Sequence, residues 1–541
     1  MSHPLTAQLE RRVLVARVKL AIVASIAFIL VAMLFNHILA DKFYQVQRHN
    51  TVSISGPWEF TSFEPAKHGY IYTRMQVIET LLDVDKKGQL IPALATDYWQ
   101  THDGLSWHFN LREGVTFHDG SGLNAKAVEQ SLQAALATHG SLRMSPIASI
   151  EAIDEREVVI ALNKPYPMLG LLLTHYANAI IAPASFTDGE VTELIGTGPY
   201  SVMHFSPPHK LIVKANDSYW GQKPSITYAS YLTGHRAESR VLQAKSQEAD
   251  IVFTLASSSF PQLADAPVEI ISAPIPRTLL LKLNSGDSQL HDVRVRQALS
   301  LALDRQGIAE TIIGDKAAAS TSLLPLSFTE WHKPINSEHQ KQMQSSSERL
   351  TLAKQLLKQA GWKQIDGILL DAHKQHFKLT LVTYADRPEL TKVATAVQAQ
   401  WAKLGIKLDI NVTNSSMIPA GHHDGSLQVG LMARNFGFLA DPLMTILQDY
   451  ANGGGDWGAM NWRDDAVDAL FKQAQISNVS SELKQDALNA IEQQFPVLAI
   501  AHYRQNISVN KRIRNFSFDP FERSYFINQL SFKEPSEGEP R

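Results

Sequence analysis

The chain has 541 residues, and its 50 Lys+Arg against 53 Asp+Glu give a net charge of -3. At roughly 150 residues per domain, this length predicts about three to four structural units, and 44% hydrophobic with 19% charged residues is typical of a globular protein. Near-neutral charge gives no general attraction to a phosphate backbone, so nucleic acid is not an expected partner. The absence of cysteine excludes disulfides, thiolate metal sites and cysteine nucleophiles.

The N-terminus has the pattern of an export signal. Four basic residues between Arg11 and Lys19 precede an apolar run over 20–35, and the small residue Ala40 follows. This order predicts that residues 1–40 are a signal peptide. The alternative is an uncleaved membrane anchor, because the 21 residues of 20–40 are long enough to cross the hydrocarbon of a bilayer. Both interpretations place the rest of the chain in the periplasm, with membrane contact through 20–40 if that segment is retained.

The first part of the exported chain mixes strand and helix patterns. Apolar residues alternate over 107–111, which predicts a half-buried strand, and the turn at Glu113-Gly114 predicts a second strand over 115–117. Asn124 is then expected to cap a helix whose apolar residues reach Ala135.

The second half contains a strand–helix–strand pattern. Apolar residues alternate over 377–381, follow helical spacing over 393–404 and alternate again over 406–412. This pattern predicts a parallel strand pair with a crossover helix. A second apolar helix face over 350–360 ends at Gly361. The fold class is therefore α/β.

Two apolar segments, 278–283 and 496–503, are candidates for crossing between two lobes. If both segments connect the same pair of lobes, the second lobe is inserted into the first. The pocket would then lie between the lobes, with the hinge behind it.

Several runs together make the sequence resemble the family 5 extracellular solute-binding proteins, which are receptors of ABC importers. They occur in the family's order and span most of residues 51–530. The runs are 88–99 (GQLIPALATDYW), 107–120 (WHFNLREGVTFHDG), 196–200 (GTGPY), 216–224 (NDSYWGQKP), 292–304 (DVRVRQALSLALD) and Asp441-Pro442.

The resemblance implies a two-lobed periplasmic binding protein of type II, similar to cluster C, with mixed sheets and a hinged central cleft. Lobe I would comprise 51–275 plus 500–541, with a subdomain around 71–190, and lobe II would comprise 276–499. The expected ligand is a peptide or a metal chelate, held by a monomer without a resident cofactor or metal. The expected partners are ABC permease subunits with a separate ATPase.

The resemblance also indicates that 431–442 (LMARNFGFLADP) faces the solute. The predicted substrate-binding residues are Arg434, Asn435, Phe436, Gly437, Phe438, Asp441 and Trp457. Peptide-binding members have an acidic residue where this chain has Phe438. The nickel-binding pattern has a Trp and a Tyr at Phe436 and Ala440, and an arginine near Ala179. Arg434 can anchor a ligand carboxylate or form an ion pair within the protein.

Three other motifs are interpreted as structural. The Gly196–Gly198 pair before a proline predicts a tight turn that uses the freedom of glycine to adopt positive φ. The run 453–458 (GGGDWG) satisfies G-x-G-x-x-G, but neither a strand before it nor a helix after it is predicted, so a flexible loop is expected. His422-His423-Asp424 is the densest group of metal-ligand types. On an extended segment its two histidines would point to opposite faces, so a polar turn is favoured.

Two other classes of function remain as alternatives, an exported hydrolase and a membrane-tethered solute sensor. The sequence contains no H-E-x-x-H, no G-x-S-x-G and no P-loop. No enzymatic activity is therefore expected.

Overall fold

The computed structural model describes residues 50–138, 141–333, 345–385 and 387–533. The predicted signal or anchor at 1–40 lies outside these residues. The strands are β1 Thr51–Gly56, β2 Leu82–Val84, β3 Leu90–Pro92, β4 Ala95–Gln100, β5 Ser106–Leu111, β6 Ile147–Ala152, β7 Glu157–Leu162, β8 Phe186–Thr187, β9 Glu190–Val191, β10 Tyr200–Ser206, β11 Lys210–Ala215, β12 Tyr228–Thr233, β13 Ile251–Val252, β14 Val268–Leu283, β15 Lys363–Ile365, β16 Ile368–Leu370, β17 Lys378–Tyr384, β18 Lys407–Thr413, β19 Val429–Asn435, β20 Val497–Asn510, β21 Ile513–Arg514 and β22 Ser531–Phe532. The helices are α1 Pro65–Arg74, α2 Ala125–Ala137, α3 Leu169–Leu172, α4 Ala237–Lys245, α5 Val293–Leu301, α6 Arg305–Ile308, α7 Ser346–Gln359, α8 Pro388–Ala402, α9 Met417–Asp424, α10 Leu443–Tyr450, α11 Asp465–Ala474 and α12 Ser481–Gln494.

A ten-stranded mixed sheet in the order β10-β11-β12-β1-β13-β20-β14-β19-β17-β18 runs through the molecule. Its two long central strands, β14 and β20, pair antiparallel from Val268↔Asn510 to Lys282↔Val497, with a shift of register between Pro274 and Thr278. The two segments predicted to cross between lobes are therefore parts of these strands. The predicted lobe boundaries, at 275/276 and 499/500, fall inside them.

Lobe I elements surround the β10–β13 end of this sheet, and a separate four-stranded sheet, β4-β5-β7-β6, belongs to the same half. The predicted strand at 107–111 is β5, and Asn124 caps α2 by accepting a hydrogen bond from the Ala127 amide at 2.9 Å. The predicted strand at 115–117 does not form. Thr116 makes only an isolated bridge to Gly122, because β4 and β7 already occupy both edges of β5.

Lobe II elements surround the β17–β19 end, where the predicted strand–helix–strand unit is β17–α8–β18. The two strands pair in parallel from Lys378↔Lys407 to Tyr384↔Thr413. Buried Val393, Val397 and Trp401 of α8 cover one face of the pair. The predicted apolar helix over 350–360 is α7.

Buried apolar side chains form separate clusters instead of one continuous core. One cluster contains Leu281 and Trp401 of lobe II, a second contains Tyr72 and Tyr231 of lobe I, and a third packs under the four-stranded sheet around Trp107. Separate cores joined mainly by two long strands are what a hinged two-lobed α/β protein requires.

Gly196 and Gly198 are needed for a different reason from the one predicted. Neither has positive φ. A Cβ atom on either residue would instead collide with the backbone carbonyl of Val77 or Gln76. These glycines therefore permit two backbone segments to pack against each other.

Candidate functional site

A cavity of about 1380 Å³ lies between the two halves of the molecule. Lobe I lines it with residues such as Trp58 and Tyr176, and lobe II with residues such as Ile312 and Phe438. Tyr503 of β20 also lines it, so a crossing strand contributes to its wall. The cavity is larger than the roughly 300–1,000 Å³ of a typical small-molecule site, and it contacts both lobes.

Three of the predicted substrate-binding residues, Asn435, Gly437 and Phe438, line this cavity. Phe438 is 46% exposed, and its ring centroid lies 4.7 Å from that of His175 on the opposite lobe. The backbone is fixed at this point because the Phe436 amide donates to the Pro276 carbonyl of β14 at 2.7 Å. The segment that follows β19 is therefore held against β14 at the edge of the cavity.

Arg434 does not line the cavity, because its guanidinium is already engaged by a buried carboxylate. Its Nε lies 2.6 Å from Asp449 Oδ2 and its Nη2 lies 3.0 Å from Oδ1. The Asp449 side chain is only 1% exposed. Burial raises the pKa of Asp449, and the charge of Arg434 opposes that rise. Of the two roles considered for Arg434, the structure shows the internal ion pair.

Phe436, Asp441 and Trp457 also lie outside the cavity lining. Phe436 is fully buried in the lobe II core, whereas Phe438 is exposed, because both residues lie beyond the end of β19, where the regular alternation of a strand no longer applies. Asp441 accepts from Lys484 Nζ at 2.6 Å and from Trp331 Nε1 at 3.1 Å beside a second depression of about 740 Å³. Trp457 packs against the lobe II core.

The expected loop at 453–458 is bonded to a buried lysine. Lys282 is fully buried, and its Nζ donates to the carbonyls of Gly455 at 2.6 Å and Asp456 at 2.9 Å. It also lies 2.8 Å from Nδ1 of His422. Burial lowers the pKa of Lys282 to about 7.

The predicted polar turn at 422–424 is not observed, because these residues belong to α9. His422 contacts Lys282, whereas Nε2 of His423 lies 3.0 Å from Asp456 Oδ1. In the part of the chain that the structure describes, no group of three or more His, Cys, Asp or Glu residues is arranged to hold a metal ion.

Glu79 lies at the cavity wall and is hydrogen-bonded to two of the family-like runs, 196–200 and 216–224. Its carboxylate accepts hydrogen bonds from Thr197 Oγ1 at 2.8 Å, Tyr219 OH at 2.8 Å and Trp220 Nε1 at 3.0 Å. Burial nevertheless raises the pKa of Glu79 to about 7, although the three donors favour its charged form. Tyr219 and Trp220 of the 216–224 run therefore hold the Glu79 side chain in place, and Tyr219 also lines the cavity.

The sequence analysis did not identify the arginines that line the cavity. Six arginines do so: Arg74, Arg240, Arg277, Arg387, Arg504 and Arg523. They come from α1, α4, β14, the start of α8, β20 and the segment after β21. An arginine gives no local pattern that distinguishes a cavity position from a surface position, so only the tertiary structure brings them together.

The C-terminal segment also forms part of the cavity wall. Asp519, Glu522, Arg523 and Phe526 line it. The backbone of lobe I holds this segment in place, because the Tyr525 amide donates to the Arg74 carbonyl at 3.0 Å. Arg523 Nη1 also pairs with Asp83. The return of the chain to lobe I after β20 thus completes the cavity.

A cavity between two α/β lobes joined by paired strands is typical of proteins that enclose a ligand by hinge motion. Residues 89–457 match the model of the bacterial extracellular solute-binding proteins, family 5 Middle. This match covers more than half of the chain, which therefore belongs to family 5 of these proteins.

Individual relatives agree with this assignment. The nickel-binding protein NikA of Staphylococcus aureus is 25% identical over 88% of this chain and 93% of its own length. The glutathione-binding protein GsiB of Salmonella typhi is 26% identical over 62% of this chain and 63% of its own length. The crystal structure of a nickel ABC transporter from Bacillus halodurans superposes with a TM-score of 0.78 at 22% identity, covering 89% of this chain and 99% of the other. The predicted fold class and family are confirmed.

Within the described residues, no helix is long and apolar enough to span a membrane.

Proposed function

We propose that this protein is the solute receptor of an ABC importer, which captures a small solute between its lobes and delivers it to permease subunits energised by a separate ATPase. The observation that carries this proposal is the cavity of about 1380 Å³ lined by both lobes. A solute that contacts both lobes stabilises the closed form relative to the open form, and this difference in affinity drives closure. In this proposal the receptor catalyses no reaction.

The hinge of this receptor would be the middle of β14 and β20. Residues 51–275 with 500–541 would form lobe I, and 276–499 would form lobe II. The register shift between Pro274 and Thr278 supports this location, because an irregular ladder bends more easily than a regular one.

Two solute classes are supported, a peptide or related compound and a metal chelate. The names of the relatives include both nickel and glutathione. Phe438 in the cavity weighs against an α-amino anchor at that position, because a charged amine buried against Phe438 would lack a partner. In either class the ligand presents carboxylates, from the peptide or from the chelator.

We also propose that the receptor acts in the periplasm after export by residues 1–40. Mass spectrometry of the intact protein from its native host would distinguish a cleaved signal from a retained anchor. An N-terminus near residue 41 indicates cleavage, and the full-length mass indicates an anchor.

Closure can be measured by spin labelling because the chain has no cysteine. Labels on Ile153→Cys and Ile476→Cys, which replace side chains 55% and 67% exposed, would report the distance between the halves. Glutathione, trialanine and a nickel–histidine complex would be the probe solutes. We expect at least one probe to shorten the distance and to be recovered chemically unchanged.

The matched control is the pair Ile153→Cys and Leu242→Cys, both in the predicted lobe I, whose separation should not change with solute. Consumption of any probe would favour the hydrolase alternative. A constant distance between Ile153 and Ile476 with every probe and with a small-molecule extract of the host would contradict the receptor function.

A further inference from the structure

The charged side chains around the cavity divide into paired and unpaired groups. Arg504 Nε lies 2.8 Å from Asp315 Oδ2, and Arg523 pairs with Asp83. Arg387 lies 3.7 Å from Glu389, whose carboxylate also accepts from Tyr503 OH at 2.8 Å. These arginines have counter-ions within the protein.

Arg74 has no such counter-ion. It is only 8% exposed, and its Nε donates to the main-chain carbonyl of Glu522 at 2.6 Å. Its Nη1 is buried and has no hydrogen-bond partner in the described residues. The guanidinium lies 4.1 Å from the ring centroid of Trp58 and 5.8 Å from that of Tyr70, so aromatic faces, not carboxylates, surround it.

Arg277 also lacks an ion-pair partner among the described residues. It belongs to β14 where the two lobes meet and lines the cavity, and its side chain forms no hydrogen bond with any described residue. Burial lowers the pKa of Arg277, the charge of Glu522 opposes this, and the charges of Arg387 and Arg74, which line the same cavity, lower it further. A partly desolvated cation beside like charges is unfavourable unless an anion joins it.

We propose that Arg74 and Arg277 form an anion-binding subsite that holds a carboxylate group of the solute, with Trp58 and Tyr70 providing a flat apolar surface beside it. This inference rests on the proposed receptor function and narrows its solute class to organic anions. The planar guanidinium matches a carboxylate with two parallel hydrogen bonds, which a lysine cannot reproduce. The carboxylate belongs either to a peptide or to a polycarboxylate chelator.

Glu522 is the acidic group that faces this subsite. Its charge raises the pKa of Arg277, and its Oε1 accepts from Gln505 Nε2 at 2.9 Å. Its backbone has φ of 55°, a conformation that is unfavourable for a residue other than glycine. Glu522 therefore partly neutralises the subsite without an ion pair and competes with an incoming carboxylate.

Calorimetric titration of the full-length chain tests the proposal with four probes. Trialanine and trialanine amide differ only in the terminal charge, and citrate with and without nickel represents a chelator. We expect a carboxylate probe to bind and Arg277→Met to weaken it by at least about 30-fold, with little effect on the amide. Arg74→Lys should also weaken carboxylate binding, whereas Glu522→Gln should strengthen it.

Arg294→Met is the matched control, because Arg294 pairs with Asp292 outside the cavity, and it should bind the probes as the parent does. Preference for trialanine over its amide would identify a peptide carboxylate, and preference for citrate a chelator. Equal loss of trialanine and its amide in Arg277→Met would overturn the subsite. So would the absence of binding by all four probes at millimolar concentration.

Thermal unfolding of the solute-free chain gives a second readout that needs no ligand. Arg277→Met should raise the unfolding midpoint, because it removes a cation without a partner. Arg504→Met should lower it, because it leaves Asp315 unpaired. A lowered midpoint in Arg277→Met would contradict the proposal. Lobe closure that is insensitive to ligand charge would overturn only the subsite and leave the receptor function standing, whereas no closure with any solute would overturn both.

Discussion

Replacing Arg434 by methionine should destabilise the protein strongly without a direct effect on solute contact. The substitution retains most of the side-chain length and leaves the Asp449 carboxylate, 1% exposed, without its counter-ion. Breaking a buried ion pair on one side costs about 3–5 kcal/mol. The Asp449 carboxyl can instead take up a proton. The free energy of that protonation is therefore an upper limit to the loss of stability.

The limit follows from the ordinary carboxyl pKa of 3.8. Protonating Asp449 at pH 7 costs about 4 kcal/mol, and at pH 5 about 2 kcal/mol. We therefore expect Arg434→Met to lower the free energy of unfolding by about 4 kcal/mol at pH 7 and by about half as much at pH 5. Urea titrations followed by tryptophan fluorescence at the two pH values would measure both.

The double variant Arg434→Leu with Asp449→Leu should recover most of the loss, since it removes both charges. Lys333→Met, which breaks an exposed pair with Asp486, should change stability little. The reasoning is refuted if the loss in Arg434→Met is the same at pH 5 and pH 7. It is also refuted if stability is unchanged while solute affinity collapses, since Arg434 would then contact the solute.

Three further predictions concern selectivity, pH and packing. Phe438→Asp should shift preference toward ligands with a free amine by about tenfold, as measured by calorimetry, whereas Phe438→Leu should not. Burial lowers the pKa of His175 and of His502 to about 4, so the unfolded chain binds protons that the folded chain excludes between pH 6.5 and pH 4. Stability should therefore fall by about 3 kcal/mol per histidine over this range, and by less in the variants His175→Gln and His502→Gln. Gly198→Ala should destabilise by more than about 2 kcal/mol in urea titrations, because its Cβ would strike a backbone carbonyl, whereas Gly122→Ala, with open space around it, should be neutral.

Each of these predictions has a result that contradicts it. Unchanged selectivity in Phe438→Asp would mean that the solute does not approach the end of β19. A stability that is independent of pH between 6.5 and 4 would mean that the two histidines are protonated in the folded protein. Equal stability of the Gly198 and Gly122 variants would mean that the segments do not pack as closely as the structure shows.

Local patterns predicted regular elements well and solute contacts poorly. The βαβ unit of β17, α8 and β18 was predictable because its alternation and helical spacing are properties of consecutive residues. The strand expected at 115–117 failed because strand formation also depends on a free sheet edge, and β5 has none. The segment 431–442 was identified, but of its predicted contact residues only Asn435, Gly437 and Phe438 line the cavity, and Leu439 and Ala440, which were not predicted, line it too.

The sequence alone determined the family and the α/β class, because these depend on ordered runs of residues and on periodicity within segments. Only the tertiary structure decided which side chains meet. Arg74 and Arg277 are far apart in the chain, yet both line the cavity, and the C-terminal segment that completes its wall is bonded to α1. Likewise, the guanidinium of Arg434 pairs with Asp449 and not with a solute, because a charged side chain interacts most strongly with the nearest opposite charge.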